Sequence, residues 1–259
     1  RGQEAFTAGL RGHLLNGVAE ANALYRDSRG ETGLQLGVQA EQRGKAYRFH
    51  FIPDEPVLAF MPFKLNPENY VEMRSLKSIS ADLKLTGPEN AALWIHSSED
   101  STELAVEINQ IDLQQLSRFA AIPDMQGRVN VALRYVPSDV AYLIAADANI
   151  DNLIFRGQPV GELLLNGVYL PLDNNRHRFD AHFYHNESEL ATVSAFYRQP
   201  QQKQAQGAID GTMQFDRIPL SELNPFFGGA VDMQGVLRGR LTLESRDRGP
   251  IWNGYLQLD

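Results

Sequence analysis

The sequence predicts a mostly β protein, built as a long antiparallel-rich sheet with a few short amphipathic helices. Three observations predict this fold: apolar and polar residues alternate with a period of two, turn signals recur at short intervals, and one unit occurs twice. The copies begin at Ile108 and at Phe215, with β-patterned sequence between them. Repetition of this kind favours an extended sheet over one closed domain.

The alternation places apolar side chains on one face of each predicted strand and polar side chains on the other. Antiparallel sheets with one solvated face produce this pattern. In the last clear strand, Arg238, Arg240, Thr242 and Glu244 occupy the polar face. The apolar positions of the three clearest strands are Ile79, Ala81, Leu83 and Leu85; Val129, Val131, Leu133 and Tyr135; and Leu237, Gly239, Leu241 and Leu243.

Short polar segments separate the predicted strands and indicate a meander of hairpins. Turns are predicted at residues 27–30, 42–45, 156–159, 173–175 and 185–188. The glutamine-rich segment 198–207 is predicted to be an exposed hairpin loop, and a second break is expected at 97–102.

Each copy of the repeated unit combines a strand end, a short amphipathic helix, a glycine turn and a new strand. The copies cover 108–127 and 215–235, and both end in Asp-Met-Gln-Gly. A weaker third copy, without the Met-Gln-Gly, is traced from 51–60 to 79–87. The chain is therefore predicted to be one continuous fragment over 1–259, with repeat units 49–107, 108–214 and 215–259.

Three segments are predicted to be helical: 56–60 after Asp54, 112–119 with Asp112 as N-cap, and 220–226. Within the second, Leu113, Leu116 and Phe119 fall on one face. Such helices either plug an end or edge of the sheet or act as a gate inside a groove.

Composition excludes several functional classes. The net charge is −8 and the Lys and Arg residues are dispersed, which argues against nucleic acid as a partner and against adhesion to an anionic membrane surface. The absence of cysteine excludes thiol catalysis, disulfides and cysteine-ligated zinc. No apolar run approaches the roughly twenty residues that span a bilayer. Because the sequence begins at Arg1, we expect an excised piece of a longer protein.

No motif in the chain predicts an enzyme. The sequence has no Gly-x-Ser-x-Gly elbow, phosphate loop or His-Glu-x-x-His zinc motif, and its carboxylates are expected to be solvated. His177, His182 and His185 are the best metal candidates, but alternation places His182 on the face opposite the other two. We therefore predict no catalytic residues, no metal and no cofactor.

The repeated unit and two further segments resemble the TamB branch of the AsmA-like proteins. Residues 237–243 followed by 249–258 resemble the family's "Gly-x-Leu-x-Gly" strand, its "Pro-x-Leu-Asn-Gly" turn and the next strand, and 150–167 resembles a segment that these proteins repeat. The resemblance runs from about Phe49 onward. Trp252 departs from it, because the family more often has a smaller apolar residue there.

The resemblance implies a β-taco: one long curved sheet forming an open trough with an apolar inner face. It also implies a periplasmic location, in a parent protein anchored in the inner membrane of a Gram-negative bacterium, whose absent parts contact the membranes. The family's function is the movement of phospholipid between the inner and outer membranes. The alternative is a scaffold or chaperone for outer-membrane β-barrel assembly, working by strand-edge pairing with a barrel partner of the TamA type. No catalytic residues and no cofactor are implied.

An apolar trough would hold phospholipid acyl chains, so the predicted lining consists of the apolar positions of alternating strands. The predicted lining residues are Ile79, Leu83, Leu85, Val129, Val131, Leu133, Tyr135, Leu163, Leu165, Met213, Phe215, Leu237, Leu241 and Leu243. A carbohydrate-binding or glycosidase-like domain would instead require clustered aromatic residues on the polar face, and the sequence predicts none.

Overall fold

The computed structural model describes residues 6–75, 77–98, 103–137, 142–172, 175–200, 207–227, 231–246 and 249–259. Strands make up 74% of the structure. Over these residues the strands belong to one antiparallel sheet that is not closed into a barrel. The mostly β, antiparallel fold class predicted from the sequence is confirmed.

The strands are numbered in chain order. They are β1 Thr7–Leu15, β2 Val18–Arg26, β3 Thr32–Arg43, β4 Ala46–Leu58, β5 Met61–Pro62, β6 Lys64–Leu65, β7 Tyr70–Ser75, β8 Ser78–Thr86, β9 Ala92–Ser97, β10 Leu104–Asp112, β11 Met125–Pro137, β12 Tyr142–Phe155, β13 Gln158–Leu172, β14 Arg176–His185, β15 Ser188–Arg198, β16 Ala208–Pro219, β17 Val236–Arg246 and β18 Gly249–Leu258. The helical segments are a 3₁₀ turn at Pro88–Asn90, helix α1 at Leu113–Phe119 and a 3₁₀ helix at Leu220–Phe227.

The chain divides into two compact units, and the division falls within β11. Unit 1 comprises residues 1–124 and 128–132, and unit 2 comprises 125–127 and 133–259. The repeat boundaries predicted at 108 and 215 lie inside the long strands β10 and β16.

Unit 1 encloses a buried apolar cluster. Strands β7, β8, β9 and β10 pair in order, while β5 pairs with β4 and β6 with β8. The short excursion through β5 and β6 supplies Met61, Phe63 and Leu65 to the cluster, where they pack with Leu83 and Leu85. These two leucines are 4% and 3% exposed, so the chain's own side chains cover them.

Helix α1 in unit 1 begins at the predicted cap. The side chain of Asp112 accepts a hydrogen bond of 2.8 Å from the backbone N–H of Gln114, satisfying one of the free donors of the first turn. At the other end, Arg118 forms ion pairs with Asp27 and Glu31 in the turn between β2 and β3. The helix is therefore attached to that turn and lies where the repeat predicted it.

Unit 2 is a regular meander. Strands β12 to β18 pair consecutively and antiparallel. The 3₁₀ helix Leu220–Phe227 connects β16 to β17, the same position that α1 has between β10 and β11. The helix predicted at 220–226 is confirmed, and this shared order of strand, helix and strand is the one that the repeated unit predicts.

One predicted helix is wrong. Residues 56–58 belong to β4, where Val57 pairs with Gln35 on one side and Pro62 on the other. Ala59 and Phe60 then turn the chain with positive φ angles of 49° and 64°. The strand, helix and strand order traced for the third repeat copy is therefore not present between 51 and 87.

The predicted turns at 27–30, 42–45, 156–159 and 185–188 all separate consecutive strands. The turn at 173–175, the break at 97–102 and the loop at 198–207 lie largely outside the described residues. None of the helices in the described part of the chain has the length and apolar character needed to cross a bilayer.

Candidate functional site

The register of unit 2 assembles one continuous apolar face. Leu241 pairs with Met213, Met213 with Val193, Val193 with Ala181, and Ala181 with Gly167. Directly paired residues of an antiparallel sheet project from the same face. These five residues therefore form one apolar row across five strands.

Two parallel rows widen this surface, which is called the apolar face below. One row contains Ile144, Tyr169, Phe179, Ala195, Gly211 and Leu243. The other contains Ala148, Leu165, Phe183, Ala191, Phe215 and Gly239.

The apolar face is only partly covered. Phe179 and Phe183 are 41% and 38% exposed, and Met213, Phe215 and Leu241 are half-buried, whereas Ala181 and Ala191 in the same rows are buried. In unit 1, by contrast, other side chains bury apolar strand residues such as Leu83. A contiguous apolar surface that stays accessible is typical of a binding surface.

The 3₁₀ helix lies at one end of the apolar face. His185, which pairs with Leu163, is 4% exposed and bonds through Nδ1 to the carboxylate of Glu222 in the helix. Its Nε2 lies 2.6 Å from the carbonyl oxygen of Val160. Since a carbonyl oxygen only accepts hydrogen bonds, the Nε2–H of His185 donates to Val160. Phe226 also contacts Phe155, with ring centroids 5.5 Å apart.

A row of aromatic rings lies at the other end, and is called the tyrosine row below. Neighbouring ring centroids in it are 5.5 to 6.0 Å apart. Its members are Tyr135, Tyr142, Tyr169, His177 and Tyr197, one from each strand from β11 to β15.

Hydrogen bonds link the polar atoms at the centre of the tyrosine row. Burial, followed by the hydrogen bond with Tyr142, raises the pKa of Tyr169 to about 12, so its hydroxyl stays protonated at neutral pH. Tyr169 Oη lies 3.5 Å from the hydroxyl of Tyr142 and 2.5 Å from His177 Nδ1. His177 Nε2 is buried and has no hydrogen-bond partner among the described residues.

The opposite face of β14 to β17 is polar and carries an open depression of about 1160 Å³. Arg178 forms an ion pair of 2.6 Å with Asp180, and His182 lies 2.7 Å from Glu189. Burial alone would raise the pKa of Asp180, but hydrogen bonds from Ser194 and Arg178 outweigh it and lower that pKa. Because Arg178 pairs with Asp180 and His182 with Glu189, the apolar face is the stronger candidate for a site despite the size of this depression.

The structure places the predicted lining residues in two environments. In unit 2, the side chains of Leu163, Leu165, Met213, Phe215, Leu241 and Leu243 share the apolar face, and Leu237 pairs with Ile218 beyond a bulge. Tyr135, on the same face of β11 as Leu133, contacts Tyr142. In unit 1, Ile79 and Val131 are half-buried, Val129 packs on the buried cluster, and Leu83 and Leu85 belong to it.

The three candidate metal-binding histidines have separate partners. His177 bonds to Tyr169, His182 to Glu189 on the polar face, and His185 to Val160 and Glu222. The described part of the chain holds no group of three side chains placed to bind a metal ion.

Sequence reasoning missed the two ends of the apolar face. Tyr142, Tyr169 and Tyr197 lie near strand ends, and a tyrosine near the end of successive strands was the available signal. Recognising the row requires the strand register, which a single sequence does not supply.

Comparisons with protein-family models, curated proteins and solved structures find no match for this chain.

Proposed function

We propose that the apolar face of unit 2 holds a phospholipid acyl chain, and that the chain is a segment of a conduit for phospholipid between the inner and outer membranes. The observation that carries this proposal is the accessible apolar row from Leu241 through Met213 and Val193. Rows on both sides of it are also apolar, so an acyl chain lying there would have apolar contacts along its length.

The energetics support such a surface. An acyl chain exposed to water costs about 0.8 kcal/mol per methylene, or on the order of 12 kcal/mol for a sixteen-carbon tail. A sheet face lined by Leu241, Met213 and Phe215 would offset the share of that cost that belongs to the side of the tail in contact with it. Since tail and face are both apolar, the contact between them has no fixed polar anchor, which allows lipid to keep moving.

The resemblance to the TamB branch supports the same proposal and its periplasmic setting. It adds the proposal that unit 2 belongs to a trough within a protein anchored in the inner membrane. The proposed function is binding and conduction rather than catalysis, because Arg178 and Asp180 in the polar depression are paired with each other.

Lipid content of the purified protein tests the proposal. After incubation with phospholipid vesicles, the re-isolated protein is extracted and its bound lipid is measured by mass spectrometry. Leu241→Glu should reduce bound phospholipid at least fivefold, because the charge enters the apolar face. Thr242→Glu is the matched control on the polar face and should retain wild-type lipid. Equal lipid content in the two variants, with both folded by circular dichroism, would contradict the proposal.

A second candidate function is a scaffold for β-barrel assembly through strand-edge pairing. The observation that favours it is exposure: every residue of β1 is exposed, including Leu10 at 79%, and in β18 Leu258 is 67% exposed. Exposed apolar strands are templates for pairing with another chain. Crosslinks from β1 or β18 to a barrel protein, with no dependence on added lipid, would favour this function over lipid conduction.

A further inference from the structure

The polar face of strands β1 to β4 in unit 1 carries two apolar side chains that interrupt the alternation. Leu24 pairs with Gly9 on β1 and with Gln35 on β3. Ile52 of β4 pairs with Gly37, which lies two residues beyond Gln35. Directly paired residues project from the same face, as do residues two apart in one strand. Leu24 and Ile52 therefore lie together on a mainly polar face, and the lipid surface proposed for unit 2 does not use them.

A cavity of about 600 Å³ lies over this part of the sheet, and Leu24 and Ile52 both line it. Pockets of roughly 300 to 1,000 Å³ hold small molecules. Gly9 leaves room in the cavity wall, because a Cβ atom there would have nothing within 4 Å. Among the described residues no aspartate or glutamate lines the cavity, and Asp54 and Glu55 in the bulge of β4 lie outside its lining. The cavity therefore has an apolar floor and no negatively charged side chain in its walls.

Two arginines, Arg11 and Arg26, line the same cavity on either side of Leu24. Arg26 and Asn22 each lie two residues from Leu24 along β2, in opposite directions. Arg11 pairs with Asn22 across to β1, so its side chain projects from the same face as Leu24 and Arg26. At about 3.4 Å per residue, each arginine lies about 7 Å from Leu24 along the strand direction. Positive charge is thus present at both ends of an apolar centre.

The carboxylates closest to these arginines in sequence have other partners. Both arginines are exposed, and neither forms an ion pair with a carboxylate in the described part of the chain. Asp27, next to Arg26, binds Arg118, and the carboxylate of Glu20 accepts hydrogen bonds from two side-chain amides. A guanidinium binds a carboxylate through two parallel hydrogen bonds, a geometry that favours this anion. The two arginines therefore favour a ligand with carboxylates.

We propose that this cavity of unit 1 binds a small dicarboxylate. The apolar middle of the ligand lies over Leu24 and Ile52, and its two carboxylates bind Arg11 and Arg26. The site selects a molecule with a negative charge at each end over a neutral molecule of the same length, because only the former pairs with both guanidiniums. The inference goes beyond the proposed function and does not depend on it, because it concerns another unit and another class of ligand.

Calorimetric titration of the whole chain with three probes tests the site. The probes are decanedioate, the neutral 1,10-decanediol of the same length, and succinate, a dianion with a much shorter middle. Wild-type protein should bind decanedioate at least about tenfold more tightly than either other probe, since a charge-assisted hydrogen bond contributes at least that factor. Arg11→Gln and Arg26→Gln should each reduce decanedioate affinity severalfold. Arg134→Gln, at an exposed arginine of β11 outside the cavity, is the matched control and should bind like wild type.

A second variant makes the test independent of the arginine substitutions. Gly9→Leu fills the cavity at a position with free space for a side chain, so it should retain the fold by circular dichroism and lose decanedioate binding. The proposal is overturned if the diol or succinate binds as tightly as decanedioate, because the cavity would then select neither the two charges nor the apolar middle. Wild-type affinity in folded Gly9→Leu or in both arginine variants would also overturn it, since the ligand would bind elsewhere.

Discussion

Glu222 in the 3₁₀ helix bonds through its carboxylate to Nδ1 of His185, whose ring is buried at the end of the apolar face. The same ring donates from Nε2 to the carbonyl of Val160, so one histidine joins the helix to β13. In unit 1, α1 is attached in a comparable way by Arg118. Each copy of the repeated unit thus has a helix that a charged side chain, Arg118 or Glu222, links to a neighbouring turn or strand.

Glu222→Gln should detach the 3₁₀ helix. The substitution removes the carboxylate charge from a buried histidine, and we expect unfolding to be easier by about 1–3 kcal/mol. Hydrogen exchange of amides in 220–227 should accelerate more than exchange in β14. Glu162→Gln, at an exposed position of β13, is the control and should change stability by less than about 0.5 kcal/mol. Equal exchange rates in the two variants would show that the pair does not hold the helix.

Gly239→Ala should weaken the pairing of β17 with β18. A Cβ atom at this position would lie 2.5 Å from the backbone oxygen of Tyr255 and 2.7 Å from Leu256. We expect a loss of about 1–3 kcal/mol in unfolding free energy, typical of overpacking. Gly9→Ala is the control, because a Cβ atom there has nothing within 4 Å. Denaturant titration of both variants gives the comparison, and equal stabilities would contradict the close approach at Gly239.

Tyr169 should make stability depend on alkaline pH. Its folded-state pKa of about 12 exceeds the usual tyrosine pKa of about 10, so above pH 10 the unfolded state loses the proton first. The stabilisation that Tyr169 gives to the folded state is therefore complete below about pH 10 and is lost as the pH rises through 12. Denaturant unfolding measured between these pH values should show a decline that is smaller in Tyr169→Phe. Tyr47→Phe, at an exposed tyrosine of β4, should keep the wild-type decline.

Filling the apolar face should block lipid without damaging the fold. Gly167 lies in the central row, and a Cβ atom there would make only ordinary contacts, the nearest at 3.7 Å. Gly167→Phe should therefore retain thermal stability and lose most of its bound phospholipid in the extraction assay. Asn166→Phe projects a ring from the other face and is the control. If the Gly167→Phe protein is folded and still binds as much phospholipid as the wild type, the lipid does not lie on the apolar face.

Strands could be predicted from sequence wherever one face is polar. In β17, Arg238 and Arg240 alternate with Leu237 and Leu241, and only the β period of two keeps the charged side chains on one face. The cap at Asp112 was also predictable, because an N-cap depends on its nearest neighbours alone.

Features that depend on tertiary pairing were not predictable. Asp54 and Pro56 favour a helix locally, but Val57 pairs with strands on both sides and the segment is extended instead. Nothing local indicates that Phe63 would close the apolar cluster of unit 1 over Leu83. Likewise, the contact of Tyr169 with His177 depends on a register that joins β13 to β14. Local patterns therefore predict most strands and helix α1. Which parts of the apolar surface are covered depends on how these strands and helices pair.

Site-specific photocrosslinking from Leu241 and Arg240 in living cells tests lipid conduction most directly. The two positions are adjacent in β17 and project from opposite faces of the sheet, so each is the control for the other. We expect phospholipid attached at Leu241 and none at Arg240. Protein adducts alone at either position, or equal lipid at both, would contradict a lipid-bearing apolar face.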